Sequence, residues 1–253
     1  MIYSAGLAGF EPMSPPRLQG RIAAVTGGGR GLGRAIVRGL AAEGAAVAFS
    51  YRESEAGALQ EAEALRSRGV RVETMAADAR RPGQMAAFVD EAVRRLGGLD
   101  LLVNNVGVFR RVELDGLTEE LLDEAFDVNV KAAVMASRSA APHLRARRGA
   151  IVNVASLGGL RPWRAYLPYC ASKAALVMAT QCLALALAPD VRVNAVAPGI
   201  LEPPGAPDAL RERIPLKRFG TTAEAVEAVL YLATAATYTT GEVLSLDGGR
   251  RLA

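Results

Sequence analysis

The chain has 253 residues and a formal charge of +4; 51% of it is hydrophobic but only 5% aromatic, so it can bury a sizeable aliphatic core in one large domain or two small ones. The arginines are scattered among acids and no cysteine spacing suits zinc, which argues against a nucleic-acid partner. No basic segment leads into an apolar run as in a secretory signal, and no stretch is expected to supply the roughly 18 uncharged apolar residues of a membrane span.

Residues 1–18, which include Pro15 and Pro16, are expected to be a loose tail, with Met13 a second possible start. A strand is expected over 21–26, followed by the glycine turn from Gly27 to Gly33 and a helix to about 43. Strand, glycine turn and helix together suit a phosphate: the bare backbone allows close approach, and the helix N-terminus offers free N–H groups. The next strand, 45–51, ends at Tyr51 and is followed by Arg52, with no Asp or Glu at positions 48–51. An acid there would suit the 2′-hydroxyl of NAD, whereas arginine suits a 2′-phosphate. Arg52 and Arg30 therefore favour NADP(H), unless both are ordinary surface arginines.

Helix 53–68, strand 70–76, helix 82–97 and strand 101–104 continue the alternation. One helix is expected over 119–145, with the lone His143 on its surface and unable to build a histidine metal cluster, and then a strand at 150–155. The next helix, 166–187, carries Pro168 in its first turn, where proline is tolerated. It also carries Cys170 and Cys182, about 18 Å apart along a helix, too far for a disulfide and fitting a reducing cytoplasm. A strand at 191–197, a loop over 201–220 with a short helix at 208–213, a helix at 222–235 and a strand at 243–246 close the chain. Continuous apolar strands alternating with helices predict an α/β single domain, a doubly wound parallel sheet covered on both faces. Ligands bind such sheets beyond the carboxyl ends of the strands, where Asp78, Asn105, Gly107, Ser156, Pro198 and Gly199 all fall.

Tyr169 and Lys173 stand four residues apart on a helix, hence on one face. An ammonium beside a phenol favours the phenolate, giving a proton donor and acceptor usable near neutral pH. Taken alone, such a pair is more often a solvated helix face.

The ordered set Thr26-Gly-Gly-Gly-Arg-Gly-Leu-Gly33, Asp78, Asn104-Asn-Val-Gly107, Asn129, Ser156, Tyr169-x-x-x-Lys173 and Pro198-Gly199 resembles the short-chain dehydrogenase/reductase family from about residue 20 to 250. The resemblance implies a Rossmann-type fold in which Tyr169 is the general acid, Lys173 lowers its pKa and holds the nicotinamide ribose, Ser156 polarises the substrate carbonyl, and Asn129 positions a proton-relaying water. It implies cofactor contacts from Gly27, Arg30, Gly31, Leu32, Gly33, Tyr51, Arg52, Asp78, Ala79, Asn105, Gly107, Tyr169, Lys173, Pro198, Gly199 and Ile200, no metal, and a homodimer or homotetramer buried on helices 119–145 and 166–187. Val106 replaces the family's usual alanine, and Pro203 stands where a cofactor-touching threonine is common. The similarity extends to 3-oxoacyl carrier protein reductases and to bacterial pteridine reductases. Three functions therefore stay open: NADPH-dependent carbonyl reduction, C=N reduction of a pterin or dihydrofolate, and a catalytically inactive nucleotide-binding protein.

The segment between Ser156 and Tyr169 should choose the substrate, and Tyr166 is expected at the mouth. Ser172 is expected to be structural, and Asn153 to satisfy backbone groups. Arg110, Arg111, Arg161 and Arg164 are expected to rim the mouth, which would favour an anionic small-molecule substrate.

Overall fold

The structure, a computed structural model, describes residues 16–202 and 208–253. Seven strands form one parallel sheet: β1 (Ile22–Thr26), β2 (Ala46–Tyr51), β3 (Val72–Ala76), β4 (Leu101–Asn104), β5 (Ala150–Val154), β6 (Arg192–Pro198) and β7 (Val243–Leu246), in the order β3-β2-β1-β4-β5-β6-β7. The order reverses between β1 and β4, which opens a crevice at their carboxyl ends.

Eight helices, α1 (Gly31–Ala42), α2 (Glu55–Arg66), α3 (Gln84–Leu96), α4 (Glu119–Phe126), α5 (Ala132–Arg147), α6 (Leu167–Leu187), α7 (Asp208–Glu212) and α8 (Thr222–Ala233), complete the described residues. Side chains alternate across each strand, so each strand feeds two cores. Ala23, Val25, Val47, Phe49, Leu101 and Val103 pack with α1, α2 and α8. Ile22, Ala24, Ala48, Leu102 and Ile151 pack with α3, α5 and α6. Central strands buried on both faces explain the continuous apolar runs.

Three expectations are corrected. Residues 16–18 are not loose: Leu18 is buried, its N–H donates to the Glu43 carbonyl at 2.9 Å, and Arg17 reaches Glu43 and Glu227. The helix expected over 119–145 is interrupted by a π-turn at Asp127–Lys131 and runs on to Arg147 through Pro142. Nothing in the apolar periodicity marks a π-turn, because it inserts one residue without changing residue types. The third is α6, 21 residues long and apolar enough by length and composition to cross a bilayer. In this fold it packs on β6 and the π-turn through Pro168, Ser172, Lys173, Leu176, Thr180, Ala184 and Leu187, the stripe that i, i+3 and i+4 spacing predicts.

Candidate active site

The glycine turn is held from behind. Gly27 N–H donates to Ser50 Oγ at 2.9 Å and Gly28 N–H to the Ser50 carbonyl at 2.8 Å. Gly27 has φ +70, and a Cβ there would lie 2.8 Å from Val106 Cγ2, so the Val106 departure packs against a glycine. A Cβ on Gly33 would stand 2.1 Å from the Gly27 carbonyl oxygen. Gly31, at φ +53, has nothing within 4 Å of an added Cβ. The backbone is thus bare at the start of α1, where free N–H groups favour an anion.

In front of this turn lies a cavity of about 560 Å³ lined by Gly27, Arg30, Gly31, Leu32, Gly33, Tyr51, Arg52, Asp78, Ala79, Asn105 and Gly107 among others. The expected adenosine-side residues therefore converge. Arg52 pairs with Glu53. Tyr51 hydroxyl donates to Glu55 at 3.1 Å, and burial pushes its pKa up. Arg80, absent from the sequence expectations, forks onto Asp78 at 2.6–3.1 Å and holds that carboxyl below its ordinary range. The Asp78–Arg80 spacing of two residues was a signal available in the sequence.

The second cavity, of about 220 Å³, is lined by Leu32, Asn105, Gly107, Val108, Phe109, Val154, Ala155, Ser156, Tyr169, Lys173, Pro198 and Gly199. Ser156 stands two residues beyond the end of β5, and its Oγ accepts from Gly158 N–H at 3.1 Å while hydrogen-bonding the Tyr169 phenol. Lys173 is buried and donates to the Val154 carbonyl at 2.7 Å; burial lowers its pKa to about 8. The expected effect of Lys173 on Tyr169 is corrected. Burial raises the phenol pKa, and the bond from Ser156 opposes that only in part. A low-dielectric site penalises the phenolate, so the group stays a protonated donor at neutral pH.

Asn129 sits in the π-turn and is fully buried. Its Oδ1 accepts from Val108 N–H at 2.8 Å, and its Nδ2 donates to the Val108 carbonyl at 3.2 Å and to Ser172 Oγ at 2.8 Å. It therefore ties α6 to the loop after β4, and Ser172, which donates to the Tyr169 carbonyl at 2.9 Å, orients it. Asn153 bonds side chains rather than backbone: it accepts from Asn104 at 2.9 Å and donates to Thr180 at 2.9 Å. Ile200 lines neither cavity, and its carbonyl accepts from Gly220 N–H at 3.0 Å. Pro203 lies outside the described residues. No metal-binding group of His, Cys, Asp and Glu occurs among the described residues.

Of the arginines expected at the rim, Arg110 lines the larger cavity. Arg110 forks onto Glu124 and Arg111 pairs with Glu113 at 2.8 Å. Arg161 donates to the carbonyls of Arg250 and Ala253. Three of the four expected cations are thus already partnered. Beside the expected Tyr166 and Tyr169 stands a ring that sequence reasoning passed over, Phe109. Phe109 stacks on Tyr166 with centroids 4.8 Å apart and meets Tyr169 edge-on at 4.7 Å.

Residues 27–251 match the family model described as enoyl-(acyl carrier protein) reductase. A 3-oxoacyl-(acyl-carrier-protein) reductase of Thermotoga maritima is 35% identical over 245 residues, 92% of this chain and 98% of that protein. A short-chain dehydrogenase/reductase from Serratia marcescens BCRC 10948 superposes with a TM-score of 0.89 at 39% identity, covering 93% of this chain and 99% of that one. A blue fluorescent protein from a metagenomic library, solved in complex with NADPH, superposes with a TM-score of 0.88 at 33% identity, covering 92% and 99%.

Proposed function

The chain belongs to the short-chain dehydrogenase/reductase family, and from that premise we propose that it is an NADP(H)-dependent oxidoreductase that reduces a carbonyl to an alcohol. The observation that carries this reading is the single cavity on which Ser156, Tyr169 and Lys173 converge beside Gly107, Pro198 and Gly199. Gly107, Lys173, Pro198 and Gly199 would hold a reduced nicotinamide there, which would supply a hydride to the carbonyl carbon.

The chain's own residues handle the oxygen. Ser156 Oγ–H donates to the carbonyl oxygen and stabilises the charge that develops on it. Tyr169 gives its phenolic proton to that oxygen, and its raised pKa keeps the proton available for transfer. Lys173, one helical turn on, keeps a positive charge below pH of about 8 in the same cavity, its ammonium held by the Val154 carbonyl. Asn129 and Ser172 fix the start of α6 so that the phenol keeps its place.

Support for NADP(H) over NAD(H) comes from Arg30, Arg52 and Arg80 around the larger cavity and from the two acids near them, Glu53 and Asp78, being engaged by Arg52 and Arg80. The NADPH-bound neighbour supports the same choice. Exposed Met178 and Leu185 on α6 support contact with a second copy through α5 and α6.

The test is loss of the phenolic proton. Tyr169→Phe should lower kcat for ketone reduction by about 100-fold or more, the range of general acid catalysis, while NADPH still binds. A variant that keeps most of its turnover sinks the assignment.

A further inference from the structure

We infer that Phe109, Trp163 and Tyr166 select a flat aromatic carbonyl, an aryl aldehyde or aryl ketone, for the Ser156–Tyr169 site; this rests on the carbonyl-reductase reading. The chain has six Phe, six Tyr and one Trp. Its only tryptophan and two more rings, Phe109 and Tyr166, gather around the proton donor Tyr169. Phe109 stacks on Tyr166 with an interplanar angle of 10° and meets Tyr169 at 79°. Trp163 lies nearly parallel to Tyr169, at 22° and 6.0 Å, and edge-on to Tyr166 and Phe109. Elsewhere the core is mostly aliphatic, with Phe49, Tyr51 and Phe88 as its rings, and none of these clusters as the rings beside Tyr169 do.

The local backbone is adapted to seat these rings. A Cβ on Gly158 would lie 3.0 Å from Tyr169 Cε1 and 3.3 Å from Trp163 Cζ3, so a bare residue lets both rings settle beside Ser156. Ala165 holds φ +64, a conformation costly for a residue with a Cβ. Its carbonyl accepts from Val112 N–H at 2.8 Å, which joins the segment carrying Phe109 to the one carrying Trp163 and Tyr166. The guanidinium of Arg250 lies 5.9 Å over Trp163.

Phe109 differs from its partners. It lines the same cavity as Ser156, Tyr169 and Lys173, yet it is 59% exposed. One face rests on Tyr166, and the exposed remainder is a π surface beside the reacting oxygen's place. Of the nearby cations, Arg110 and Arg111 are paired with Glu124 and Glu113, and Arg161 is held by the Arg250 carbonyl. Ring faces prefer offset-stacked or edge-to-face partners. An aryl group conjugated to the carbonyl meets that preference, because its plane is also the plane of the carbonyl.

The experiment compares benzaldehyde with cyclohexanecarbaldehyde and acetophenone with cyclohexyl methyl ketone, using NADPH. The reading is the aryl-to-cyclohexyl ratio of kcat/KM in wild type, Phe109→Leu and Trp163→Leu, which cancels the intrinsic reactivity of each carbonyl. The ratio should fall roughly 3- to 10-fold for each ring lost, the range of one aromatic pair. An unchanged ratio in both variants overturns the inference. Trp163, the sole tryptophan, gives a second measurement that needs no turnover. Benzyl alcohol should perturb its fluorescence at lower concentration than cyclohexylmethanol, and equal concentrations overturn the aromatic preference. If benzyl alcohol is preferred but no carbonyl is reduced, the reductase reading fails and the aromatic selection stands.

Discussion

The two halves of the crevice are built on different principles. The half beyond β1, β2 and β3 is made of backbone and exchangeable charge: a glycine turn braced by Ser50, with Arg52–Glu53 and Asp78–Arg80 at its edge. The half beyond β4 and β5 is made of side chains that touch one another, namely Phe109, Trp163, Tyr166 and Tyr169, with a buried lysine on the Val154 carbonyl. A backbone cradle fits a ligand shared by many proteins, whereas a ring cluster fits whatever its own ring types fit. The first half has the form that suits the phosphates of a dinucleotide, and the second holds the rings to which substrate selection is assigned above.

Lys173 lies where the halves meet, and its charge is the most expensive feature of the site. The unfolded chain keeps that proton to its ordinary value of 10.5, while the folded chain releases it at about 8. Between those values the unfolded state binds more protons, so stability should rise with pH across the window, by roughly 3 kcal/mol in all. Lys173→Met should lack that rise when unfolding by denaturant is compared at pH 8 and pH 10.5. Parallel curves for the two proteins would mean that the ammonium is not desolvated. On the backbone side, Gly33→Ala forces a Cβ against the Gly27 carbonyl. Overpacking of about 1–3 kcal/mol should weaken NADPH binding by about 10- to 100-fold in a direct titration, and unchanged binding would show a looser turn than this geometry describes. The smallest effect concerns charge at the cofactor edge. Arg52→Ala should raise KM for NADPH about tenfold more than for NADH, a modest figure because Arg52 is partly exposed and already paired with Glu53. Equal changes would remove Arg52 from the choice of cofactor.

That contrast also explains what the sequence made legible. Strand ends, glycine turn and the Ser156, Tyr169 and Lys173 positions follow from local pattern and fixed spacing, and the sheet topology brings them together as expected. Asn129 was recognisable by its place in the motif order, but its partners Val108 and Ser172 are fixed by the π-turn, which leaves no mark in apolar periodicity. The arginines near the mouth carry charge that the sequence displays, yet the pairing of Arg110 with Glu124 and the hold of the Arg250 carbonyl on Arg161 are matters of tertiary contact. Phe109 was missed for the same reason. Its ring partners lie more than fifty positions further along the chain, and one ring after a loop motif has no periodicity to reveal it.

The π-turn at Asp127–Lys131 can be viewed as a phase correction. An α-helix advances about 100° per residue, so one extra residue rotates everything downstream by that angle. Upstream, Ala125 faces the core; downstream, Ala132, Ala133, Ala136 and Ala140 form the stripe against the sheet. Asn129 stands between the two, tied to Val108 and Ser172. Deleting one residue there would restore an unbroken helix, but α4 and α5 could no longer both keep their faces. The core stripe and Asn129 share a single helical strip of sequence only because the phase is reset between them.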